Sequence, residues 1–324
     1  LEDGALAELY FESKGHGKLS GNIYAGRVEN VLPGMNAAFV NIGLEKHAFL
    51  YAGDIQLGDA ELAEQLRGAR IERLVRPGQT IVVQVVKEPG GDKGPRLSCH
   101  ITLPGRLSVF LPTVKYVGIS RRIHDEDERE RLRAIAEALV QPSEGGIIVR
   151  TAAEGAQEKE LRDDFEALAR LWQAIERRGR HVTAPALLHC DGSLIDRAVR
   201  DMLCDEVESV RTEDACLYES LRETATTLAP EFAGRIVLDR AESPIFDRFC
   251  VCKQAESAFK RRVWLKSGGY LVFDYTEALT VVDVNTGKYV GKRSLSETVF
   301  ALNCEAAREI ARQLRLRDIG GIVI

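Results

Sequence analysis

The chain has 324 residues, with 44 Lys+Arg against 49 Asp+Glu for a formal charge of -5, 45% hydrophobic residues and 29% charged ones. That composition excludes disorder and a fibrous repeat, and at roughly 100–200 residues per domain the length predicts two or three domains. The mild acidity excludes a uniformly basic coat, so any nucleic-acid site has to be concentrated in one place.

No uninterrupted apolar run reaches the roughly 18 residues of a membrane span and nothing near Leu1 resembles a signal peptide, so a soluble, cytoplasmic protein is expected. The seven cysteines form no CxxC pair and read as reduced core thiols. Cys250 and Cys252 would supply at most half of a zinc site.

In chain order, the alternation Ala5-Leu6-Ala7-Glu8-Leu9-Tyr10-Phe11-Glu12 predicts a strand, and Lys14-Gly15-His16-Gly17-Lys18 a linker. From Gly21 to about Leu103, short strands divided by Gly/Pro turns are expected at Asn22–Glu29, Ala37–Ile42, His47–Tyr51, Thr80–Lys87 and Arg96–Thr102, with an insertion over 54–78. That rhythm suggests a small OB-type barrel. Beyond it, Leu107–Leu111 and Gly146–Arg150 read as strands and Asp125–Val140 and Glu158–Arg178 as helices, the second carrying Leu161, Phe165, Leu168, Leu171 and Ile175 on one face and stopped by Gly179. Residues 193–258 read mainly as amphipathic helices with a short strand near Ile236–Leu238. A hairpin, Tyr270–Phe273 with Ala278–Val284, precedes a long helix opened by a capping box at Ser294-Leu295-Ser296-Glu297, with Leu295, Val299, Leu302, Ala306, Ile310 and Leu314 as its apolar stripe. The last residues, Ile322-Val323-Ile324, begin a strand too short to pair alone, which predicts that the natural chain continues.

Three constellations could carry chemistry. Period two places Phe39 with Asn41, and Phe49 with His47 and Tyr51, on faces shared with polar residues, where nucleic-acid bases could stack, while Lys87, Lys93 and Arg96 could hold phosphates. The alternative is that another domain covers those rings. At Gly145-Gly146-Ile147-Ile148-Val149-Arg150-Thr151 an apolar strand delivers a guanidinium and a hydroxyl together, suited to a phosphate or, more blandly, to a carboxylate such as Glu154 or Glu158. Gly118-Ile119-Ser120-Arg121-Arg122 is a similar basic strand end. In Leu279-Thr280-Val281-Val282-Asp283-Val284-Asn285, Asp283 sits in a valine-rich strand with Asn285 on the same face, a plausible Mg²⁺ ligand beside a neutral orienting group. The histidines show no HxH or HExxH spacing, and serine-hydrolase and nucleotide-binding fingerprints are missing.

The segments Gly21-Asn22-Ile23-Tyr24, Ala37-Ala38-Phe39-Val40, Gly118-Ile119-Ser120-Arg121-Arg122-Ile123, Val149-Arg150-Thr151-Ala152, Glu277 to Asn285 and Glu305 to Asp318 closely resemble the ribonuclease E/G family, in order and over essentially the whole chain. The resemblance implies an α+β multidomain fold. It comprises an OB-type RNA-binding domain over 17–103, an α/β 5′-sensor over 104–192, a discontinuous ribonuclease H-like domain of 1–16 with 193–258, and part of a DNase I-like domain over 259–324. It implies a single-strand-specific, 5′-monophosphate-sensing, Mg²⁺-dependent endoribonuclease that processes mRNA, rRNA and tRNA precursors and leaves 5′-phosphate and 3′-hydroxyl ends. Asp283 matches one of two metal-binding aspartates and Asn285 an orienting asparagine. Arg150 and Thr151, with Gly105, Val109 and Arg121, match the 5′-phosphate pocket, and Phe39, Phe49, Lys87 and Lys93 the RNA-contacting surface. The second aspartate, and the cysteines that link subunits through Zn²⁺ into dimers or tetramers, would follow Ile324, so this chain alone is expected to bind RNA but to be inactive. The rival readings are a non-catalytic RNA-binding protein and a structural assembly subunit.

Overall fold

A computed structural model describes residues 1–12, 19–55, 70–88, 94–140, 145–290 and 294–324. The linker expected over Lys14–Lys18, and Lys93, lie outside the described residues. The fold is mixed α/β and divides into two units, Glu12–Val210 with Cys216–Val237, and Leu1–Phe11 with Arg211–Ala215 and Leu238–Ile324.

The first unit opens with strands β1 (Ile23–Leu32), β2 (Ala37–Asn41), β3 (Ala48–Tyr51), β4 (Thr80–Lys87) and β5 (Arg96–Ser98). They are ordered β1-β2-β3-β5-β4, and β4 returns to pair with β1, so the five strands close into a barrel of OB type. The length of β1 makes closure possible. Its first half, Ile23–Arg27, pairs with β4 and its second, Arg27–Leu32, with β2, an irregularity between Val28 and Asn30 bending the strand. Gly26 faces the packed interior, where a Cβ would lie 2.6 Å from Val40 Cγ1. Alternation then fills the inside with Val28, Ala38, Val40, Ala48, Leu50, Val83, Val85 and Leu97, all buried. Leu50→Ala should cost about 2–5 kcal/mol, because a fully buried side chain leaves a cavity that a closed barrel cannot collapse. A lowered urea midpoint would register it.

Beyond the barrel, β6 (Leu103–Pro104), β7 (Ser108–Leu111), β8 (Val117–Ile119) and β9 (Gly146–Val149) form a sheet ordered β6-β7-β9-β8. Helices Glu126–Val140 and Glu158–His181 pack on it. Leu161, Phe165, Leu168 and Ile175 supply the buried stripe, and Phe165 meets Phe110 edge to face at 5.2 Å. Gly179 does not stop the second helix, which continues to His181. A Cβ on Gly179 would lie 3.3 Å from Leu188 Cδ1 and 3.6 Å from Val82 Cγ2, so this glycine marks close packing instead of a cap. Leu188 lies on β10 (Ala186–His189), which pairs with the start of β1. One strand thus serves two cores: Tyr24 and Val28 enter the barrel, Ile23 and Ala25 the helix-covered core. Helices Leu194–Met202 and Ala215–Leu228 gather a third cluster around Val199, Leu221 and Phe232. The unit boundaries at 210/211 and 237/238 fall inside two short strands, β11 (Val210–Thr212) and β12 (Ile236–Leu238).

In the second unit β13 (Arg262–Trp264), β14 (Tyr270–Tyr275), β15 (Leu279–Asn285) and β16 (Ile322–Val323) form a sheet in that order. Helix Leu295–Leu316 covers one face, burying Leu302 and Ala306 against Leu271 and Phe273. Ser294 Oγ accepts from Glu297 N, which is the serine half of the expected capping box. The alternating N-terminal segment Ala5–Glu12 is not a strand. Its buried residue Leu6 donates its N–H to Gln254 Oε1 and its carbonyl accepts from Arg312 Nη1, so side chains satisfy the backbone a sheet would have used. The cysteines also depart from expectation: all seven are free thiols, but Cys99 alone is buried and the other six are exposed. Among the described residues no helix is long and apolar enough to cross a membrane.

Candidate functional site

On the barrel, pairing aligns an outward row. Phe39 lies opposite Phe49, Phe49 beside Arg96, and Arg96 beside Lys87, across β2, β3, β5 and β4. The alternate residues Ala38, Val40, Ala48 and Leu50 are buried, which leaves both phenylalanines partly exposed on the outer surface, their ring centroids 6.3 Å apart. Arg96 Nη2 is 2.8 Å from Asp54 Oδ2, while Lys87 is exposed at the edge of the row. The surface offers two π-faces followed by cations.

In the second sheet β9 lies between β7 and β8, parallel to β8 and antiparallel to β7. The carboxyl ends of β8 and β9 and the amino end of β7 therefore meet along one edge, bringing together Gly105, Ser120, Arg121, Arg150 and Thr151. Backbone bonds weld the edge: Arg150 N donates to Leu107 O at 2.8 Å and Ser120 N to Val149 O at 2.9 Å. The Ser120 and Thr151 hydroxyls are 2.9 Å apart. Val109, opposite Ile148, sits one pleat further into the sheet than Arg150. Gly105 allows a close approach, since a Cβ there would lie 2.6 Å from Asp164 Oδ2, and the Asp164 carboxylate accepts from the backbone N–H groups of Arg106 and Ser108.

Arg150 is anchored by one edge. Its Nη1 donates to Gly105 O at 2.6 Å and to Asp201 Oδ1 at 2.7 Å, while Nε and Nη2 have no partner among the described residues. The carboxylate thus comes from helix Leu194–Met202 and not from Glu154 or Glu158, the sequence neighbours that local reasoning offers. Burial would push the Asp201 carboxyl up, but hydrogen bonds from Arg200 and Arg150 outweigh it and hold the group below the usual carboxylate range. The loop after Thr151 is secured separately. Glu128, lowered to about 2 chiefly by its hydrogen bonds from Arg131, accepts from Gly155 N at 2.8 Å.

In the other unit, Asp283 is exposed on β15, and Asn285 Nδ2 donates to its Oδ2 at 2.8 Å. Val282 and Val284 turn the other way to pack under the helix, so alternation places the acid and the amide together on the open face. β16 runs parallel to β15, and Ile324 O accepts from Val282 N. Asp283 keeps Oδ1 without a partner among the described residues, and one hard oxygen of this kind, with waters and phosphate oxygens, suits Mg²⁺. No group of three or more His, Cys, Asp and Glu poised for a metal occurs among the described residues.

The sequence profile described as the Ribonuclease E/G family matches residues 102–324. The chain is 44% identical over 328 aligned residues to Ribonuclease G of Haemophilus influenzae and of Escherichia coli K12, covering all of this chain and 67% of each relative. It belongs to the ribonuclease E/G family. Ribonuclease E of Nostoc sp. PCC 7120 is 44% identical over 314 residues, 96% of this chain and 45% of that protein.

Two features of this ribonuclease E/G chain escape sequence reasoning. Asp201 stands 51 positions from the arginine it anchors, and only the helix packing reveals it. The second is the row of residues that shares the open face with Asp283, which becomes visible once three strands are in register.

Proposed function

We propose that this chain carries the RNA-binding and catalytic machinery of a single-strand-specific endoribonuclease in RNA processing, one that prefers substrates with a 5′-monophosphate and leaves 5′-phosphate and 3′-hydroxyl ends. The observation that carries the reading is likeness at 44% identity, over the whole chain, to proteins named Ribonuclease G. Three arrangements support it. The barrel row Phe39, Phe49 and Lys87, with Lys93 beyond the described residues, would stack bases and screen phosphates. Arg150, with Nε and Nη2 without a partner among the described residues and Thr151 next to it, would grip a terminal phosphate by a bidentate fork and a hydroxyl, with Arg121 from the end of β8 adding charge and Gly105 and Val109 lining the approach.

Asp283 would hold a Mg²⁺ ion, which when bound supplies Lewis-acid charge and a more acidic water at the scissile phosphate. Asn285 fixes the Asp283 carboxylate through its Nδ2 hydrogen bond, so that the acid faces outward in one rotamer. Its amide then has its carbonyl oxygen left to orient an attacking group. The segment ending at Ile324 pairs with β15 at Leu279, Thr280 and Val282, so Asp283 follows directly on the paired part of a four-stranded sheet.

The barrel surface gives the direct test. Phe39→Ala and Phe49→Ala should each weaken binding of a short single-stranded RNA about 5- to 100-fold and leave duplex binding little changed, read by anisotropy of labelled RNA. RNA affinity unaffected by both substitutions would favour a structural assembly subunit.

A further inference from the structure

Register across three strands places two rows of side chains on the sheet face that the long helix leaves open. Trp264 pairs with Tyr270 and Tyr270 with Asn285; Arg262 pairs with Val272 and Val272 with Asp283. The first row ends on the amide and the second on the acid described above. Trp264 remains 56% exposed although its ring lies only 5.2 Å, centroid to centroid, from that of Tyr270. The Arg262 guanidinium stands 4.4 Å from the Tyr270 ring and 5.9 Å from the Trp264 ring, and Arg262 is itself exposed. Two strand spacings, about 10 Å, separate the Trp264 row position from Asn285.

We infer that Trp264, with Tyr270 and Arg262, forms a base-stacking platform that receives a nucleotide flanking the phosphate addressed by Asp283, so that single-stranded RNA is held at the cleavage point as well as at the barrel. The inference rests on the proposed ribonuclease reading of Asp283. Its occupant follows from the chemistry of the patch. An exposed indole offers a π-face that any base can cover without hydrogen-bond readout, and an adjacent guanidinium supplies the positive charge a phosphodiester chain requires. A duplex, whose bases are already stacked on one another, cannot use such a face. The platform therefore selects unpaired substrate at the site itself. A cross-strand packing role would need Trp264 and Tyr270 only as neighbours, and would leave the outer face of the indole unused.

The chain has two tryptophans, Trp172 and Trp264, so Trp172→Phe leaves Trp264 as the sole indole emitter. Trp172 is half-buried on helix Glu158–His181, in the other unit, and phenylalanine keeps an aromatic ring there. A 5′-hydroxyl single-stranded RNA of about 10 nucleotides, within the usual reach of such sites, is titrated without Mg²⁺ while Trp264 emission and RNA anisotropy are read together. The platform predicts quenching of Trp264 in step with binding, affinity lowered about fivefold or more by Trp264→Ala, and recovery in Trp264→Phe. RNA that binds with no change in Trp264 emission, and equally well to Trp264→Ala, would overturn the platform and leave the ribonuclease reading standing. No RNA binding in the parent chain would overturn that reading and the platform with it.

Discussion

Replacing Arg150 with alanine is expected to abolish the preference for RNA carrying a 5′-monophosphate over the same RNA carrying a 5′-hydroxyl, a loss of about 10- to 150-fold in relative affinity. The size follows from the anchoring. Because Nη1 is already committed to Gly105 and Asp201, the guanidinium would meet a phosphate with Nε and Nη2 in a fixed plane and lose little freedom on binding. Asp201→Asn should therefore weaken the preference without removing it, since the anchor loses charge but the donor survives. The pH dependence separates the protein from its ligand. The folded Asp201 carboxyl is held below its ordinary value, so it stays ionised as pH falls from 7 to 5, and the Arg150 anchor persists throughout that window. A terminal phosphate takes up its second proton near pH 6. The preference should then decline as pH falls through about 6, in the parent and in Asp201→Asn alike, because the ligand titrates. Equal affinity of the parent for the two RNAs would remove the pocket; a preference that survives Arg150→Ala would place it on other residues.

Part of this arrangement is legible in one dimension. Alternation alone separates Phe39 and Phe49 from Ala38, Val40, Ala48 and Leu50, because a half-buried strand writes its two faces into odd and even positions. The same rule puts Asp283 beside Asn285. The five short runs between Gly/Pro turns carry the barrel, and the closing pair β1–β4 needs only that β1 be long. What the sequence conceals is tertiary partnership. Nothing local to Arg150 points to Asp201 on a helix beyond β10, and nothing local to Gly105 points to the Asp164 carboxylate that requires a residue without Cβ. Gly179 misleads for a related reason. A glycine after an apolar stripe resembles a stop, yet contact with Leu188 and Val82 uses its small size inside the helix. The N-terminal alternation Ala5–Glu12 has the period of a strand but not a strand neighbour, and side chains of Gln254 and Arg312 take its place at Leu6. Cysteine burial fails as a default because six of the seven occupy solvent-facing positions.

The largest effect is expected at Asp283. In an RNA-cleavage assay, Asp283→Asn should lower the rate at least about 100-fold, since in the proposed function the carboxylate would provide the charge that holds a divalent cation at the scissile phosphate. The substitution is well suited to the question. Asp283 is exposed, so the fold does not depend on its burial, and an asparagine carbonyl oxygen can still accept the hydrogen bond from Asn285 Nδ2. Shape and local bonding are conserved and only the charge is lost. RNA affinity, which the barrel row and the Trp264 platform are proposed to supply, should therefore be retained while cleavage falls, and raising Mg²⁺ should recover part of the rate if weakened ion binding is the cause. Asn285→Ala provides the complementary measurement. It leaves the charge and frees the rotamer, so it should reduce the rate less than Asp283→Asn and without the same dependence on Mg²⁺ concentration. Cleavage that survives Asp283→Asn would make the acid a structural element of the strand and turn the reading towards a non-catalytic RNA-binding protein. Loss of cleavage together with loss of RNA affinity would instead show that the open sheet face around Asp283 takes part in binding and not only in cleavage.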